Sequence, residues 1–114
     1  MLEPLDLPVD SFTIVLLAQG EHATSLPPAE VERLETEHIR AMLRSKAEGR
    51  LRAIGAVQGN VETEPGRRLL SIGFWNATTD ELRAIMAEDS AIASGLYSAQ
   101  VARFVCSPGS VRFE

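Results

Sequence analysis

Phe12-Thr13-Ile14-Val15-Leu16-Leu17-Ala18 is the stretch whose reading decides the fold. Its β-branched and aromatic content marks a strand. Side chains alternate across a strand, so Phe12, Ile14 and Leu16 share one face and Val15 and Leu17 the other. A half-solvated antiparallel strand alternates apolar with polar residues; this one is apolar on both sides. Leu69-Leu70-Ser71-Ile72-Gly73-Phe74-Trp75 has the same character, with Leu70, Ile72 and Phe74 on one face and Leu69 and Trp75 on the other. A sheet built from these strands needs cover on both faces. The chain has 114 residues, which suits one domain with one core.

Outward from the first strand, Gln19 to Ser25 reads as a polar loop. Pro27-Pro28 opens a helix, because proline suits the first helical turn. Glu30, Glu32, Glu35 and Glu37 precede Arg40, Arg44 and Lys46, the order that complements the helix dipole. Gly49 follows as a C′ glycine. Leu51 to Gln58 reads as a second strand, with Gly55 as a bulge or a point of close approach. Gly59 to Arg67 reads as a turn or hairpin loop before the third strand.

Thr78 and Glu81 form a capping box that starts a second helix, with Leu82, Ile85 and Met86 facing inward. Asp89-Ser90 interrupts it and caps a short extra turn through Ala93. Gly95 ends that turn, and Tyr97 to Cys106 is a fourth strand. Pro108-Gly109 marks a turn, and Val111-Arg112-Phe113 reads as a last short strand. Residues 1–10, acidic and containing Pro4 and Pro8, read as a flexible leader. Residues 11–106 are the folded domain, and 107–114 a C-terminal turn and short strand.

The order strand, helix, strand, strand, helix, strand predicts a ferredoxin-like α+β sandwich. Two helices cover only one face of such a sheet. A second copy of the chain is the economical cover for the other, so a homodimer is expected.

Apolar residues make up 45% of the chain, enough for a packed core. The formal net charge is -5, and the basic residues are scattered apart from Arg67-Arg68, which disfavours nucleic acid as a partner. The single cysteine, Cys106, cannot form an internal disulfide and reads as a small hydrophobe in a strand. A reducing, cytoplasmic setting is the natural expectation. The start lacks the basic and apolar regions of a signal peptide, and the longest apolar run, Ile14 to Ala18, is too short to cross a bilayer. No cysteine–histidine cluster has zinc spacing. Neither Gly-x-Gly-x-x-Gly nor a Walker-type loop is present, so no metal or nucleotide cofactor is implied.

His38 is the chemically pointed residue. On the first helix, Val31, Leu34, His38, Ala41, Met42 and Ser45 fall on one face at three-four spacing. A titratable ring aimed at a core is either hydrogen-bonded there or lines a cavity. Asp89 supplies a matching carboxylate. It would orient the ring and stabilise its charged form, as the carboxylate of a catalytic triad does. The plainer alternatives are a core histidine bonded to a backbone carbonyl, and an aspartate that only caps a helix. His22 reads as an exposed loop histidine. Ser90 and Ser94 lie in no Gly-x-Ser-x-Gly elbow, and are expected to bond local backbone. Trp75 and Tyr97 read as core or dimer-interface residues, with a ligand-pocket wall as the alternative.

Glu37-His38-Ile39, Gly49-Arg50-Leu51, Ile54-Gly55-Ala56, Thr79-Asp80-Glu81-Leu82, Ala87-Glu88-Asp89-Ser90 and Ala93-Ser94-Gly95-Leu96-Tyr97 together resemble the YCII-related family. The likeness runs from about Phe12 to Phe104. The resemblance implies a dimeric α+β barrel made of ferredoxin-like protomers packed sheet to sheet. It also implies a site that pairs His38 with Asp89. The activity it implies is acid–base chemistry of lyase or isomerase type on a small organic molecule. The alternative is a non-catalytic dimeric module that binds a small ligand or a partner protein. Two departures stand out. Ser90 stands where the family has proline after the aspartate, and is expected to loosen the turn that aims Asp89. Gly55-Ala56 stands in place of Gly-Pro.

Overall fold

The computed structural model describes Leu7 to Phe113. Met1 to Asp6 of the expected leader, and Glu114, lie outside the described residues. The fold is α+β and ferredoxin-like. Its elements run β1 (Asp10–Gln19), α1 (Pro28–Ala47), β2 (Leu51–Ala56), β3 (Glu62–Glu64), β4 (Arg67–Trp75), α2 (Thr79–Ala87), α3 (Ser90–Ala93) and β5 (Tyr97–Cys106).

The main sheet is antiparallel throughout, in the order β2-β4-β1-β5. The two strands that are apolar on both faces, β1 and β4, are therefore the central pair. Register puts Thr13, Val15 and Leu17 on the same face as Trp75, Gly73 and Ser71. That face is covered by the helices: Val15, Leu51, Trp75, Leu82 and Met86 form one buried cluster. Leu34, Ala91 and Leu96 form a second where α1 meets α3.

The opposite face gathers all four phenylalanines of the chain. Phe74 stands edge-on to Phe12 at 6.0 Å and to Phe104 at 5.6 Å between ring centroids. Phe113 meets Phe12 at 5.5 Å and Phe74 at 5.6 Å, with the Arg52 guanidinium over its own ring. Val111-Arg112-Phe113 is thus not a strand, contrary to the sequence expectation. It lies across the sheet face, where its backbone has no strand edge to pair with and its phenyl ring has an aromatic cluster to join. The tail covers one end of this face. Leu16, Leu70 and Ile72 at the other end remain partly exposed.

Other boundaries differ too. The first strand begins at Asp10, which pairs with Cys106, so Asp10 belongs to the sheet and not to the expected leader. The second strand stops at Ala56, two residues short of Gln58. The expected loop before β4 contains β3, which pairs with β4 across a turn at Gly66, φ 80°. Gly55 is neither a bulge nor a close approach: it pairs regularly with Ile72, and a Cβ there would meet nothing. The irregularity falls at Arg52 instead, between Leu51 and Ala53. The bulge frees Arg52 from the regular ladder beside the ring of Phe113.

Candidate active site

α1 delivers His38. Pro28 occupies the first turn, and the helix closes when the Arg50 N–H reaches the Ser45 carbonyl, with Gly49 at φ 79°. That is the six-to-one bond of a Schellman motif. Between these ends the inward face holds Leu34 and, one turn on, His38, both buried.

Asp89 arrives from the other side. α2 ends at Ala87, and Asp89 is the N-cap of α3. Its two carboxylate oxygens divide the work. Oδ1 accepts from the Ala91 N–H at 2.9 Å and the Ile92 N–H at 3.4 Å. Oδ2 faces His38 Nδ1 at 2.7 Å. The capping reading and the pairing reading are both true of one side chain. Burial is the largest influence on the carboxyl and pushes its pKa up. The hydrogen bond and charge of His38, with the two amides, outweigh burial and leave the carboxyl below its ordinary value of 3.8.

An ionised carboxylate only accepts, so Nδ1 carries the proton and donates it to Oδ2. In the neutral ring Nε2 is then a free acceptor. It has no hydrogen-bond partner among the described residues. No fully enclosed side-chain nitrogen or oxygen lacks a partner among them, so Nε2 keeps an open side. His38 lines a cavity of about 10 Å³ with Ser71, Gly73, Trp75 and Met86, space for one water-sized group. Tyr97 stands edge-on to the imidazole at 5.0 Å. Burial, then the charges of Glu35 and Asp89, raise the Tyr97 phenol, so it stays neutral at physiological pH.

Ser90 does not loosen the turn. Its hydroxyl donates to Glu37 Oε2 at 2.5 Å, a side-chain partner rather than local backbone. Two consecutive residues of α1, Glu37 and His38, thus hold two consecutive residues of the turn, Ser90 and Asp89. Arg33 donates to the other Glu37 oxygen at 2.8 Å and fixes it from the solvent side. The Ser90 bond comes first among the causes that lower the Glu37 carboxyl. Sequence reasoning missed this clip because Glu37 reads as one of a run of exposed helix glutamates. Ser94 does bond local backbone, donating to the Ala91 carbonyl.

His22 is exposed and pairs with Glu21 at 3.2 Å, not with the dyad. Its ring lies against Gly95, where a Cβ would come within 2.6 Å of it. Gly95 also adopts φ 84°, so a side chain is excluded twice at the junction that leads into Tyr97. A far larger cleft, about 710 Å³, lies elsewhere, between Thr13, Arg52, Thr78, Arg103 and Phe113. Neither His38 nor Asp89 lines it. No group of three or more His, Cys, Asp or Glu side chains is placed to hold a metal ion among the described residues. No described helix is long and apolar enough to cross a membrane.

No family model matches the chain, and no curated protein matches it. Among solved structures it is similar to the 5-chloro-2-hydroxyhydroquinone dehydrochlorinase of Burkholderia phenoliruptrix, in complex with 2,5-dihydroxybenzoquinone. The two share 16% identity over 80% of this chain and 92% of that one, with a TM-score of 0.49. At that level the likeness says nothing of activity.

Proposed function

We propose that the chain is a small-molecule acid–base enzyme of lyase or isomerase type, with His38 moving the proton and Asp89 orienting and charging the ring. One observation carries this reading: a buried imidazole bonded at Nδ1 to a carboxylate at 2.7 Å, with Nε2 unpartnered among the described residues. Nε2 takes a proton from the substrate, and Asp89 stabilises the imidazolium that forms. Returning that proton to another atom gives an isomer; loss of a leaving group gives an elimination product. The reading assigns no metal or nucleotide to the step.

The proposal includes a homodimer formed by the aromatic face of the sheet, the assembly of a dimeric α+β barrel, and kinship with the YCII-related family on the motifs quoted above. A cytoplasmic location goes with the single, unpaired cysteine. A domain spanning 11–106 is the unit that carries the site. The second reading, a non-catalytic dimeric module for a small ligand or partner protein, is favoured by the small size of the His38 cavity.

Exchange chemistry separates the two. A panel of small carbonyl compounds is incubated with protein in D2O, and exchange of their acidic C–H positions is followed by NMR. The enzyme reading expects accelerated exchange with at least one compound and its loss in His38→Gln. Binding without any exchange across the panel favours the module.

A further inference from the structure

Trp75 ends β4 with only 4% of its surface exposed, opposite Thr13 and Leu51 in the sheet register. Its indole folds back along its own strand over Gly73. A Cβ built on Gly73 would lie 3.0 Å from Trp75 Nε1 and 3.4 Å from a Leu51 methyl. An indole N–H is a donor only, and a buried one ordinarily finds an acceptor. None of the described residues accepts from Trp75, and no enclosed side-chain nitrogen is left unpaired among them. The N–H is therefore not fully enclosed. Trp75 borders both the small cavity beside His38 and the larger cleft near Arg52, and its nitrogen lies on the Gly73 side, which faces the small cavity. Trp75, Gly73, Ser71 and His38 line the same small cavity.

We propose that Trp75 is the hydrogen-bond donor of this cavity and that the substrate is an uncharged, enolisable carbonyl compound, its oxygen on the indole N–H and its acidic C–H toward His38 Nε2. This rests on the acid–base reading of His38 and names what that site takes. The polar inventory fits: one donor for an oxygen, one acceptor for a proton, and a Ser71 hydroxyl able to serve as either. The remaining walls include Val15, Leu17, Met42 and Met86, with no fixed cation, so a charged group would lose its hydration without compensation. The cavity admits one water-sized group, which is the carbonyl itself. The body of the substrate enters past Ile54, 44% exposed at the rim, and the flexible thioether side chains of Met42 and Met86 give way.

The step balances. The C–H bond breaks and its proton passes to Nε2. The electron pair forms the carbon–carbon double bond of an enolate, and the carbonyl pair moves onto oxygen, where the indole N–H stabilises it. Nothing is oxidised or reduced, and return of the proton to a different atom completes an isomerisation.

The test uses 2,4-pentanedione, a small diketone that enolises readily, with the full chain. Trp75 is the one tryptophan, so the indole N–H resonance needs no assignment. Titration to concentrations on the order of 10 mM, above the affinity of so small a ligand, should move that resonance downfield saturably together with the ring signals of His38. Trp75→Phe keeps the apolar wall and should weaken binding about tenfold, the worth of one hydrogen bond. Gly73→Ala should block the cavity, with the same result.

If the His38 signals saturate while the indole resonance stays still, Trp75 is not the donor. Equal binding by Trp75→Phe says the same. The wild-type indole resonance alone decides the point should that variant fail to fold. If no signal moves, the carbonyl site is overturned. The dyad is judged separately, by the tautomer of His38 in the free protein.

Discussion

Replacing Asp89 isolates what the carboxylate does. Asp89→Ala removes three accepted bonds at once: two from α3 amides and one from His38. Loss of an N-cap costs about 1 kcal/mol. The orphaned Nδ1–H of a ring that is 8% exposed adds about 1–3 kcal/mol. The variant should therefore lose about 2–4 kcal/mol in urea denaturation at fixed protein concentration. Asp89→Asn is the informative partner. Asparagine caps a helix nearly as well, so Oδ1 keeps its amides and the loss should be about 1 kcal/mol or less. Its other arm donates where the carboxylate accepted. His38 Nδ1 must then accept, and the ring proton moves to Nε2. The proposed base becomes a donor, and proton abstraction should fall by orders of magnitude even though the fold survives. The nitrogen chemical shifts of His38 report which tautomer is present. The reasoning fails if Asp89→Ala loses less than about 0.5 kcal/mol, the range of an ordinary surface change, or if Asp89→Asn keeps the proton on Nδ1.

Other outcomes follow from the same geometry. Asp89 titrates below 3.8 in the folded state, so its contribution to stability is fully present above that pH and is lost as pH falls through the folded value; Asp89→Asn should flatten this part of the acid-unfolding profile, and an unchanged profile would count against the pairing. Sedimentation at micromolar concentration should give twice the chain mass, from a sheet-to-sheet interface burying more than about 1,000 Å²; Phe74→Glu, in the middle of the aromatic face, should give monomer, and a wild-type monomer would refute the interface. Ser90→Ala removes the clip to Glu37, so amide exchange at Ala91 and Ile92 should quicken several-fold while that of β1 does not, and Ser90→Thr should restore protection.

The inward face of α1 was legible because helical spacing is a property of the chain alone: Val31, Leu34, His38, Ala41, Met42 and Ser45 are all at least partly buried. The capping box at Thr78 and Glu81 and the turn at Asp89 were legible for the same local reason. The two-sided apolar pattern of Phe12 to Ala18 and Leu69 to Trp75 showed that both faces of the sheet need cover, while the pairing alone made those strands the central pair. Contacts between residues far apart in sequence were not legible. Ser90 looked like a weakened turn, and tertiary packing made it one half of a clip, because Glu37 lies 53 residues away and its acceptor is invisible to local chemistry. Phe113 looked like the end of a strand, and the aromatic cluster pulled it across the sheet. Sequence alone determined the long strands and helices, the two faces of β1 and β4, the inward position of His38 on α1 and the capping position of Asp89, since each depends on neighbours within a turn or two; it missed β3. Only the tertiary structure decided the 2.7 Å approach of Asp89 to His38, the division of that carboxylate between cap and ring, and the indole of Trp75 beside the same cavity, because those depend on how α1, α3 and β4 stack in space.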